Sequence, residues 1–198
     1  MAPRISRRTL MVSSVTAAFA LCAPEVWPQG RTLGHITQPG RSSVGYSSDF
    51  SDELHLSRDY TLECAEAMPE AKYFFRPVPE MRTFGQQLVH IAEAMRTLFE
   101  VFVEGKSAPS SVVSEAGKEL VRSKMDAIMG LRDAFDYVDR GSTRLSDSLL
   151  QARIQFLNNR EVSKGHVLRY VLDHTTHHRG QAVVYMRLNA ITPPKYRA

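Results

Sequence analysis

The chain has 198 residues, 43% hydrophobic and 23% charged, with a formal net charge of +4. That length supports one domain with its own core, and no apolar run reaches the roughly 20 residues of a membrane-spanning helix. With only Cys22 and Cys64 to offer, the sequence also excludes a disulfide-stapled scaffold.

The N-terminus reads "RISRRTLMVSSVTAAFALCAP", in which Arg4, Arg7 and Arg8 precede an uncharged stretch from Thr9 to Pro24 that ends in small residues. Residues 1–23 are therefore expected to be an export signal. "SRRTLM" resembles the twin-arginine signal, a receptor-read bacterial address, which implies a periplasmic or otherwise exported chain. Cleavage fits after Ala20 or Ala23, and Leu21 is a poor neighbour for a lipidated Cys22. Removing this segment takes away three arginines and no acid, so the mature chain is close to neutral. No basic stripe with interleaved aromatics remains, which sets nucleic-acid binding aside. Cys64 is then the one cysteine certain to remain, and the fold must rest on its core or on a metal.

Residues 24–50, rich in Gly, Pro and Ser, read as a flexible linker in which His35 is a solvated loop residue. The domain is expected over 51–198. Its first helix starts after Ser51 or Asp52 and runs to about Met68, where Pro69 stops it. Pro77 and Pro79 force an extended connection. From Phe84 to about Glu104 the apolar residues Phe84, Leu88, Ile91, Met95, Leu98 and Phe102 recur at helical steps, and Gly105 ends the pattern. A third helix is expected from Ser114 to about Asp139, with Leu120, Met125, Ile128, Leu131 and Phe135 inward and Gly141 past its end. Residues 146–158 fit either a short helix or a packed connection. The last helix spans about Ser163 to Asn189, ahead of "TPPK". Met95, Met125 and Met186 read as core residues. With no alternating Val/Ile/Thr run, the fold class is all-α, an antiparallel four-helix bundle.

On the last helix Val167, Val171, His174, His178, Ala182 and Tyr185 share one stripe. Two histidines at i, i+4 on a core-facing line can reach one cation, and an imidazole there needs a partner for its nitrogens. His90, in "QQLVHIAEAM" beside the stripe of the second helix, is the candidate third ligand. Three neutral imidazoles suit a divalent transition metal, Zn²⁺ or Ni²⁺, and leave open positions for water or substrate.

"FGQQLVHIAEAM", followed some eighty residues later by "DHTTHHRGQAVVYMRLNAITPP", resembles the DinB-like metal-binding four-helix bundles. The likeness extends over about residues 52–194 and takes in "TLECAEAMPEAKYFFRPVPEMRTFGQQLVHIAEA". It implies that the family's metal histidines fall on His90, His174 and His178. Relatives known to be enzymes include transferases and isomerases that use a small thiol at the metal. Those thiols are cytoplasmic, and an exported chain would be separated from them. Ala190 stands where helices of this family often end in glycine.

The other candidates are read more plainly. His177 lies one residue off the stripe and reads as a polar flank. His166 and Tyr170, four and eight residues before His174, suit substrate contact, support of a ligand, or a satisfied structural role. Arg179 and Gln181 orient either substrate or packing. Glu93 reads as an exposed acid, and Cys64 as a small core residue. The expected function is a metal-dependent hydrolase or thiol-dependent transferase acting on a small molecule. The alternatives are a non-catalytic metal-binding or stress-related bundle, or a metal-free bundle with satisfied core histidines. A homodimer is compatible with either.

Overall fold

Hydroxyl side chains set the helix starts. Thr83 and Gln86 cap each other reciprocally, and Ser123, Ser146 and Ser163 each accept from the backbone N–H three residues on. These contacts pair donors that a first helical turn leaves free. The computed structural model describes residues 46–107 and 119–196. In it the caps open α2 (Phe84–Leu98), α3 (Lys124–Ser142), the short α4 (Asp147–Gln151) and α5 (Lys164–Leu188), after α1 (Tyr46–Ala67). The stretch read as an export signal at 1–23, Cys22, His35 and the stretch read as a linker up to residue 45 lie outside the described residues.

α1 begins earlier than the capping signals at Ser51 and Asp52 suggest. Residues 46–50 are helical, and Phe50 is buried with Leu54 one turn on. The apolar pair at i, i+4 extends the helix into a stretch that composition alone marks as linker. After Leu98, α2 passes into a π-helical turn over Phe99–Val103, and Gly105 follows with φ +76°. The ring of Phe99 lies where a Cβ on Gly141 would have to be. Gly141 is therefore a close-packing position inside α3 rather than a residue past its end.

α3 is shorter than expected at its start. Residues 119–123 are not helical, and Leu120 and Met125 are 67% and 63% exposed rather than inward. Once Ser123 sets the start, Met125 falls six residues before the buried Leu131, about 120° around the helix from it. Ile128, Leu131 and Phe135 are buried as the spacing predicts.

Between α4 and α5 stands an unexpected hairpin, β1 (Arg153–Phe156) paired antiparallel with β2 (Arg160–Ser163). Its turn uses Asn158 and Asn159, both left-handed at φ 57° and 56°. Asparagine tolerates that region better than most residues, and so closes a hairpin without glycine. Phe156 and Val162 turn inward from the two strands.

The four long helices form the bundle expected from the sequence. α1 and α2 each pack against α3 and α5, so they lie across the bundle from one another. Two lysines tie helix ends together: Lys124 donates to the carbonyls of Glu66 and Met68, and Lys164 to that of Val103. α5 ends with Ile191 N–H bonded to the Met186 carbonyl and Ala190 N–H to that of Arg187. This is a left-handed termination, with Ala190 at φ 58° in the place glycine usually takes. Among the described residues no helix is long and apolar enough to cross a membrane.

Candidate metal centre

The buried stripe of α5 runs through Val167, Val171, Ala182 and Tyr185, and its spacing carries His174 and His178 onto the same line. α2 packs against α5 and presents His90. His90 and His178 are 3% and 5% exposed, whereas His174 is half-buried. One ligand nitrogen from each ring lies within 4.8 Å of the other two. His174 Nε2 and His90 Nε2 are 3.2 Å apart. Two nitrogens bound at about 2.0–2.1 Å to one tetrahedral ion would stand roughly 3.3–3.4 Å apart, so the spacing fits a shared cation.

Groups behind the rings support the same arrangement. His178 Nδ1 lies 2.7 Å from Gln87 Oε1, an acceptor, so Nδ1 carries the proton and the Nε2 lone pair is left for a ligand bond. Gln87 Nε2 donates to Gln181 Oε1 at 2.7 Å, and Gln181 Nε2 donates to His177 Nε2 at 2.8 Å. Behind His90, Glu119 Oε1 lies 3.3 Å from Nδ1 without the alignment of a hydrogen bond. The same oxygen accepts from Arg82 Nε at 2.6 Å.

The three rings are held neutral. Burial pushes His178 down to about 3, helped by the neighbouring His174 and His90. Burial also pushes His90 down to about 4; Arg82 and His174 add to this and Glu119 opposes it. His174 is lowered as well, by burial and then by His177. A neutral imidazole is the form that binds a metal.

The remaining sequence candidates separate around this cluster. The Tyr170 ring stacks on His174, with centroids 5.9 Å apart and planes 22° from parallel. His166 meets Phe156 edge-on at 6.1 Å and is not in the cluster. His177 is exposed and touches the His178 ring edge-on. Gln181 is a link in the amide chain to Gln87. Arg179 turns the other way, toward α1, where it donates to the Ser57 and Thr61 hydroxyls and lies over the Tyr60 ring. Glu93 is exposed, on a groove that α2 shares with Asp126 and Gly130 of α3. Cys64 is fully buried, and burial pushes its thiol up to about 11, the signature of a core residue rather than a nucleophile.

Two residues close to the site were not singled out by sequence reasoning. Gln87 stands three residues before His90 on α2, so helical spacing puts it on the same face, a usable signal. Glu119 falls in the stretch that the apolar spacing assigns to the start of the third helix, but it is not helical, and nothing local marks it.

Neutral imidazoles converging from two helices of an all-α bundle make this a candidate metal-binding bundle. The model of the DinB superfamily matches residues 53–182, and the chain belongs to that superfamily. It is 36% identical over 58 residues to the uncharacterized protein YrdA of Bacillus subtilis (strain 168), a stretch that covers 29% of this chain and 34% of that protein. The chain thus spans about a third of the length of this relative. Among solved structures it is similar to a DinB-like protein of Bacillus cereus, with TM-score 0.64 and 18% identity over 76% of this chain and 97% of that one. The DinB-like protein YjoA of Bacillus subtilis gives 0.60 and 18% over 75% and 96%. At these identities the structural likeness establishes the fold.

Proposed function

We propose that this chain is an exported metalloenzyme in which His90, His174 and His178 bind one divalent transition metal, Zn²⁺ or Ni²⁺. The reading is carried by one observation: three neutral imidazole nitrogens converge, and no carboxylate or thiolate among the described residues joins their cluster. Three protein ligands leave a coordination position for a small molecule, the mark of a reactive rather than a structural site. A cation held there supplies Lewis acidity, lowering the pKa of a bound water or thiol so that a nucleophile exists near neutral pH.

The chain's own residues would do the rest. Gln87 fixes the proton of His178 on Nδ1, and Tyr170 stacks on His174 and limits how that ring turns. His174, the most open of the three, marks the side from which a substrate would approach. Hydrolysis of an amide or ester and transfer to or from a small thiol both suit this arrangement. The paired arginines of "SRRTLM" support export by the twin-arginine route, which carries folded proteins and would permit metal loading beforehand.

The test compares metal-loaded and chelator-treated protein against a panel of thiols, amides and esters. Turnover that disappears with the metal and returns on reloading is the expected result. A loaded protein inert toward the whole panel favours the non-catalytic metal-binding reading, which the deep burial of His90 and His178 also suits.

A further inference from the structure

We propose that Glu119 is the positioning residue for His90, and that Arg82 holds Glu119 in place to do so. The inference rests on the metal-binding reading above and extends the site beyond the bundle helices.

Glu119 has a fully buried side chain, a costly location for a carboxylate that lacks a cation. Arg82 meets that requirement at 2.6 Å. The oxygen it grips, Oε1, is the one that stands 3.3 Å from His90 Nδ1. That ring nitrogen is itself buried and without an aligned hydrogen-bond partner. Its nearby Nε2 is the atom that meets His174. A carboxylate behind an imidazole holds the proton on the far nitrogen and strengthens the near one as a ligand. His90 would thus have a charged support and His178, on Gln87, a neutral one.

The carboxylate arrives by an unusual route. Residues 119–123 belong to none of the four long helices, yet they lie against α2. Gln86 Nε2 reaches the Glu119 carbonyl at 3.4 Å, and Gly85 leaves room for Val121, whose Cγ1 would lie 2.8 Å from an added Cβ. A side chain at position 85 would press on the segment that carries Glu119.

Two measurements on the full-length chain test this. The first is the Zn²⁺ dissociation constant by competition with a chromophoric chelator, for wild type and Glu119→Gln, which keeps shape and removes charge. The proposal predicts binding roughly 10- to 100-fold weaker in the variant, with one ion per chain still bound at saturation; the stability lost by leaving Arg82 without its carboxylate is read separately, from the unfolding midpoint of the metal-free protein. The second is the ¹⁵N spectrum of the histidine rings in metal-free protein. His90 should be fixed as the Nδ1–H tautomer in wild type and become a tautomer mixture in Glu119→Ala. An unchanged dissociation constant, or His90 carrying its proton on Nε2 in wild type, overturns the proposal. If wild type binds no Zn²⁺ at all, the metal reading fails, and the tautomer alone decides the role of Glu119.

Discussion

His178 and Arg179 are consecutive, polar and buried, yet they serve opposite sides of α5. Arg179 faces α1, where its Nη1 donates to serine and threonine oxygens and its guanidinium lies over an aromatic ring. His178 faces α2, where one nitrogen is satisfied by Gln87 and the other points at two more imidazoles. Burial alone therefore does not mark a functional residue. Arg179 is a finished structural contact, whereas the histidine cluster has lone pairs in excess of protons to bridge them.

That contrast can be broken most sharply by removing each residue in turn. His178→Ala should take bound metal from about one ion per chain to none measurable by elemental analysis. Arg179→Ala should keep the ion and instead lower stability by about 2–3 kcal/mol in chemical denaturation, because two α1 hydroxyls and the Tyr60 ring lose their partner. Loss of metal in the arginine variant, with its fold intact, would contradict the division between the two faces.

A pH series sharpens it further. The histidines of the cluster have folded pKa values below the unfolded value of about 6.5. Between pH 6.5 and about 4 the unfolded chain therefore binds protons that the folded chain refuses. Their contribution to stability is complete above pH 6.5 and is lost as the pH falls. Metal-free protein should lose on the order of 2 kcal/mol for each of His90 and His178 between pH 7 and pH 5, and His178→Ala should roughly halve that slope while Arg179→Ala leaves it unchanged. The smallest effect is expected away from both faces. Ala190→Gly relieves a left-handed alanine and should raise stability by roughly 0.5–1 kcal/mol, read from the unfolding midpoint, with metal content unaffected.

The features legible in the sequence are those written at helical period. The stripes of α2 and α5 locate His90, His174 and His178, and the serine at 163 marks the start of α5. What escaped depends on contacts distant in sequence or on backbone geometry. The inward reading of Leu120 and Met125 failed because the α3 cap sits at Ser123, which starts that helix about ten residues later than the apolar pattern suggests. The hairpin has strands of four residues, too short to show alternation, although "LNN" held the signal for its left-handed turn. Glu119 reaches His90 through tertiary packing against Gly85, which no local pattern encodes. Arg179 looked like a site residue because it follows the histidine motif, and only its direction toward α1 separates it from the cluster.

X-ray absorption at the metal edge of the loaded wild-type protein tests the central claim most directly. An open three-histidine site predicts three imidazole nitrogens at about 2.0–2.1 Å together with at least one light scatterer not supplied by the protein. A sulfur shell, four protein ligands, or a chain that takes up no ion under loading conditions would contradict it.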